Sequence, residues 1–127
     1  MGEFIGVKVH VFIGGTAIKT DIKNLEDGIH VVVGTPGRVQ DMINKSHLRL
    51  SSLKVFVLDE ADEMLSRGFL ESMRKVISFI PPECRVCLFS ATMPKEIVQL
   101  TTNFMSDPAR ILVKNEQLTL EGKFLLF

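Results

Sequence analysis

The chain has 127 residues and a mass of 14.2 kDa, room for one domain with a modest core. Apolar residues make up 46% and charged residues 24%, which excludes a disordered polymer. Lys+Arg and Asp+Glu each number 15, so a basic arm or an acidic tail is excluded as the main device, and any nucleic-acid contact must use a local patch.

Met1–His10 does not read as a signal peptide, and Gly6 stands where a myristoylation signal needs Ser or Thr. No apolar run reaches the length that crosses a bilayer. With two cysteines and no export signal, the expected setting is reducing and intracellular.

Val7–Ile13 is the first predicted strand, and Gly14-Gly15-Thr16 is the loop after it. Ala17–Asp27 carries Ile18, Ile22 and Leu25 at helical spacing, and Gly28 supplies a stop. Ile29–Val33 is the second strand. A helix then opens on Thr35-Pro36, with Thr35 as cap, and runs to Asn44. Val55–Leu58 is the third strand and runs straight into Asp59-Glu60-Ala61-Asp62. Phe69–Ile80 has Phe69, Met73, Val76, Ile77 and Ile80 on one stripe, and Pro81-Pro82 ends it. Val86–Phe89 is the fourth strand, followed by Ser90-Ala91-Thr92. Pro94–Phe104 turns Ile97, Leu100, Thr101 and Phe104 inward, and Ile111–Val113 is the fifth strand. The apolar runs are β-branched and nearly unbroken, as in strands covered on both faces. Alternating strands and helices predict an α/β fold, a parallel sheet with helices on both faces. On such sheets ligands gather beyond the carboxyl ends of the strands.

Three of those strand ends carry chemistry. Asp59, Glu60 and Asp62 place three carboxylates within four positions after an apolar strand. Such a cluster suits a hydrated Mg²⁺ and a base for water, or else it caps the following helix. Gly34-Thr35-Pro36-Gly37-Arg38 combines free helix-start N–H groups, a glycine that allows close backbone approach and a forked cation. It suits phosphate, or it is an ordinary strand-to-helix turn. Ser90 and Thr92 can bond a neighbouring strand's carboxylates, or simply cap. Gly14-Gly15-Thr16, alone, reads as a flexible turn.

Other residues point away from a site. Cys84 and Cys87 form a lone CxxC that runs into a strand, so zinc and redox roles are not expected, and Cys87 reads as core. His10, His30 and His47 are scattered and form no triad or metal motif. The Met and Phe positions at helical spacing read as core.

Together the loops resemble the DEAD-box RNA helicases. Asp59-Glu60-Ala61-Asp62 spells DEAD, and Gly14-Gly15, Thr35-Pro36-Gly37-Arg38 and Ser90-Ala91-Thr92 stand in that family's order. The longer strings VLDEADEMLSRGF, FSATMP and ILVKNEQLTLEG are similar to the translation-initiation branch, and the likeness runs from Val7 to Gly122. The resemblance implies a RecA-like sheet: residues 1–115 as a partial N-terminal helicase domain, and 116–127 as the start of an interdomain linker with a divergent apolar tail, Lys123–Phe127. It implies ATP-dependent RNA unwinding with ATP and Mg²⁺ as cofactors. Asp59 holds Mg²⁺ through water, and Glu60 polarises the attacking water. Asp62 pairs with Ser90 or Thr92. Gly14, Gly15, Thr35, Pro36, Gly37, Arg38, Arg67 and Gly68 meet the RNA backbone. Implied partners are RNA, bound without regard to sequence, and initiation scaffold proteins, with no membrane. The implied location is the cytoplasm, with the nucleus as the alternative.

The sequence also departs from that family. No stretch matches the phosphate-loop pattern G-x-x-x-x-G-K-[ST]. The resemblance puts that loop's strand between Val86–Phe89 and Ile111–Val113, so apolar strand edges are expected to lie open. Arginine fingers from a second core domain are likewise absent. The alternative function is therefore a module that binds RNA or a partner without catalysis.

Overall fold

The computed structural model describes residues 3–112. Among the described residues four strands and five α-helices follow one another: β1 Val9–Phe12, α1 Ile18–Glu26, β2 Val31–Gly34, α2 Pro36–Asn44, β3 Val55–Leu58, α3 Ala61–Ser66, α4 Leu70–Ile77, β4 Arg85–Leu88 and α5 Lys95–Phe104, with α3 and α4 where one helix was expected. Pairing is parallel throughout, as the unbroken apolar runs require.

The single continuous sheet is not what forms. β1 pairs with β2, Val9 opposite Val31, and β3 pairs with β4, Val55 opposite Arg85. No strand hydrogen bonds join the two pairs among the described residues. They are held together by helix packing, α2 against α4. Of the expected fifth strand, Ile111 and Leu112 are exposed and lie in no strand. Val113 lies outside the described residues, as do the predicted linker and tail of 116–127.

Each pair buries one face. Leu58, Ala61, Met73, Ile97 and Leu100 form a core under β3 and β4, with Phe56, Leu70, Ile77, Leu88 and Phe104 packed around it. Phe12, Met42 and Ile43 are buried in the other half. The opposite face is open: Val9, Val11, Val31, Val33, Val55 and Val57 are all 42–55% exposed. Among the described residues these valines are left about half open.

Local corrections follow from packing. Thr35 sits at the α2 N-cap in extended geometry, but its side chain makes no capping bond. Cys84 is the buried cysteine and Cys87 is half-buried, the reverse of the expected emphasis. In α1 the buried residue is Asp21, whereas Ile18 is 37% exposed.

Gly34 is the glycine with no room. A Cβ there would lie 2.8 Å from the Phe12 carbonyl oxygen and 2.6 Å from Val39 Cγ2. Gly37, by contrast, has open space around it. Gly34→Ala should therefore lower stability by about 1–3 kcal/mol, read as a shift of the urea midpoint, because the Phe12 backbone must move. An unchanged midpoint would show that β1 yields freely.

Candidate functional site

The strand ends β3 and β4 are tied together. Phe89 N donates to the Leu58 carbonyl at 2.8 Å, and Ala61 N donates to the Phe89 carbonyl at 3.1 Å. These bonds set the two following loops side by side. Across them, the Thr92 hydroxyl and amide donate to Asp62 Oδ2 at 2.7 and 2.9 Å. The Asp62 amide donates to Ser90 Oγ at 3.2 Å, and Ser90 Oγ donates to the Thr92 carbonyl at 2.6 Å. Asp62 thus meets both hydroxyl residues. Ala61 has no exposed surface and belongs to the core, which fixes α3 and with it the acids on either side.

The Thr92 hydroxyl holds the Asp62 carboxyl down at about 2, well below its ordinary value of 3.8, with the Thr92 amide adding to the effect. The folded value is the lowered one. The tie therefore contributes stability above the unfolded value near pH 3.8 and loses it as pH falls towards 2. Asp62→Asn should flatten the acid-denaturation curve between about pH 4 and pH 2. A curve that keeps its slope in that window would place the acid sensitivity elsewhere.

Asp59 and Glu60 face solvent at the end of β3. Asp59 Oδ1 accepts the Glu60 amide at 2.9 Å. Glu60 is left-handed, with φ 48° and ψ 47°, an arrangement that costs a residue with a side chain roughly 1–2 kcal/mol. Such conformations persist where the surrounding structure enforces them. Here the turn between β3 and α3 does so, with the Glu60 carbonyl accepting from Met64 in the first bond of the helix.

The other half of the molecule builds a groove of about 540 Å³. Gly14 and Thr16 come from the loop after β1, Thr35, Gly37 and Arg38 from the start of α2, and Phe69 from the start of α4. Gly15 has φ 84°, a turn that favours glycine. Nothing stands within 4 Å of a Cβ at Gly14, Gly15 or Gly37, so backbone is open to a ligand there. Pro36 takes the first helical position, where its missing N–H removes no helix bond.

Arg38 is placed differently from its expectation as a forked phosphate contact. Its side chain is only 7% exposed. Nε donates to the Ile13 carbonyl at 3.0 Å, and Nη2 donates to the Thr16 carbonyl and to Thr16 Oγ1. Arg67 is exposed and pairs with Glu63, Nε to Oε1 at 2.7 Å, which keeps the Glu63 carboxyl below its usual range. Gly68 has φ 77° and turns the chain from α3 into Phe69, so Arg67 and Gly68 flank the groove rather than line it.

Spacing alone assigns no part in this arrangement to Phe69, His10 or Asp21. Asp21 did carry a signal. It lies three after Ile18 and four before Leu25, on the apolar stripe of its helix, where a carboxylate needs a partner.

A family model described as DEAD/DEAH box helicase matches residues 1–100. The chain is 56% identical over 122 residues to eukaryotic initiation factor 4A-III homolog A of Oryza sativa subsp. japonica, covering 96% of this chain and 30% of that protein. It is 54% identical to the ATP-dependent RNA helicase eIF4A of Aspergillus fumigatus, with the same coverage. Among solved structures, a DEAD box protein from Methanococcus jannaschii superposes with a TM-score of 0.78 at 45% identity, over 80% of this chain and 28% of that one. A hypothetical ATP-dependent RNA helicase from Sulfolobus tokodaii gives 0.77 at 32% identity, over 84% and 32%. The chain thus spans about 30% of the length of the curated relatives it matches. The family model and the solved structures agree with a RecA-like parallel α/β fold, and they place the chain in the DEAD/DEAH box helicase family.

Proposed function

We propose that this chain works as part of an ATP-dependent RNA helicase of the translation-initiation type, in which RNA-stimulated ATP hydrolysis opens short duplexes. The observation that carries this reading is the Asp62–Thr92–Ser90 tie, a link between the acid loop and the hydroxyl loop at adjacent strand ends. ATP and Mg²⁺ are its cofactors, and its place is the cytoplasm.

The donor set fits a hydrated cation. Asp59 is exposed and offers hard carboxylate oxygen at the end of β3. It would hold Mg²⁺ through water. The ion's chemistry is to neutralise charge that develops on the nucleotide's phosphates. Glu60, solvent-facing beside Asp59, accepts the proton of the attacking water. This sequence has no G-x-x-x-x-G-K-[ST] stretch to cradle the phosphates.

The groove is the RNA side. Its glycines leave backbone N–H groups accessible, and the Thr35 hydroxyl makes no capping bond and is free for a phosphate. Backbone contacts of this kind are blind to sequence and weaken with salt. Thr35→Val should weaken binding of a labelled single-stranded uridine 20-mer by about tenfold, the worth of one bond to a charged group, with the salt slope unchanged because the hydroxyl is neutral. Unaltered binding would remove Thr35 from the RNA contact.

The missing phosphate loop favours one second reading, in which the 127-residue chain binds RNA or a helicase partner without hydrolysis. Salt-sensitive RNA binding with no ATP binding by this chain would support it.

A further inference from the structure

Arg38 belongs to a buried polar cluster that the acid and hydroxyl loops do not touch. Asp21 is 1% exposed and Arg38 9%. Asp21 Oδ2 and Arg38 Nη1 lie 3.5 Å apart, and neither atom has a hydrogen-bond partner. The other Asp21 oxygen, Oδ1, meets His10 Nε2 at 2.9 Å. Asn24 Nδ2 also stands against the His10 ring, 3.2 Å from Nδ1 and 3.4 Å from Nε2, and the ring lies edge-on to Phe12 at 5.1 Å between ring centres. Asn24 is in turn fixed by donating to the Thr20 carbonyl at 2.9 Å.

On the groove side, the guanidinium closes the glycine loop. It binds the carbonyls of Ile13 and Thr16, the two residues that flank Gly14-Gly15. Thr16 Oγ1 also donates to the Ile13 carbonyl at 2.9 Å. The loop is thus clamped at both ends by a cation 22 and 25 residues away in sequence. A buried cation is costly without an opposing charge. Asp21 is the carboxylate that faces it.

We propose that Asp21, oriented by His10, is a positioning residue for the RNA groove. It neutralises and aims Arg38, and Arg38 holds the Gly14-Gly15 backbone in the form that meets a phosphate chain. Arg38 then serves RNA through the loop and makes no phosphate contact of its own. The proposal rests on the RNA reading of the groove, and its test separates the two.

Backbone order parameters at the amides of Gly14, Gly15 and Thr16 read the clamp without RNA. Asp21→Asn should lower them from a rigid value of about 0.85 to below about 0.6 while those of β3 and β4 stay high. The milder His10→Gln, at a half-buried position, should lower the same values by less and serves where Asp21→Asn does not fold. Parent-like order parameters at these amides in both variants overturn the proposal. Binding of the uridine 20-mer then reads the link to RNA. Arg38→Gln should lower affinity with no change in the slope of log K against log salt. A slope smaller by about 0.7 would mean a lost phosphate contact and would also overturn it. Failure of the parent chain to bind the 20-mer at low salt would instead sink the RNA reading, while the order parameters still decide what Asp21 does to the loop.

Discussion

Glu60→Gln, placed in a full-length helicase that carries this segment, is expected to cut ATP turnover by about 10²–10⁴-fold and leave ATP binding intact. That range is what a positioned general base contributes. Glutamine matches glutamate in shape but does not accept a proton at neutral pH. The backbone at this position is set by the turn, not by the head group: Glu60 is left-handed, and its carbonyl accepts the first bond of α3. The carboxylate makes no bond that holds the fold together among the described residues, so the substitution removes chemistry and spares structure. Phosphate release at saturating RNA, with nucleotide affinity measured alongside, checks the outcome. Turnover equal to the parent would take Glu60 out of the hydrolytic role.

Arg38→Ala should have the largest effect on stability. It leaves Asp21, 1% exposed, without its cation, and it frees the Ile13 and Thr16 carbonyls at once. Breaking a buried pair from one side costs about 3–5 kcal/mol, against a typical total of about 5–15 kcal/mol for a whole domain. Urea titration should show the midpoint fall steeply. Adding Asp21→Asn to Arg38→Ala should recover part of the loss, since the second change removes the stranded charge. A double variant no better than Arg38→Ala alone would show that the carbonyl bonds, and not the charge pair, carry the effect.

Much of the local structure was legible because its causes are local. Val55–Leu58 is a strand to the residue, an apolar run stopped by charge. Thr35-Pro36 marks the start of α2, and Met73, Val76, Ile97 and Leu100 are buried as their spacing requires. The α4 stripe reached too far: the helix ends at Ile77, and Ser78–Ile80 turn towards Pro81. What spacing does not contain is partnership. Parallel strands find each other across whole helices, so the split into two pairs had no local sign. Asp21 is buried because His10 and Arg38 reach it from β1 and α2, elements that only folding brings together. The same holds for Gly34, whose need for glycine comes from the Phe12 carbonyl of the neighbouring strand. Among the site residues, the ones that met were those at strand ends, which adjacent parallel strands bring together; Asp62, Ser90 and Thr92 are the instance.

The open valine face has a kinetic consequence. Folding of one chain is first order, whereas joining of two sticky faces is second order, so the balance between them is set by concentration. Six exposed valines, on strands that each have a single partner among the described residues, give the second process a surface to act on. Dilution favours the monomer, and crowding at synthesis favours clumps. For this stretch of polypeptide, time spent without a cover on that face is the hazard, and whatever covers it first decides the yield.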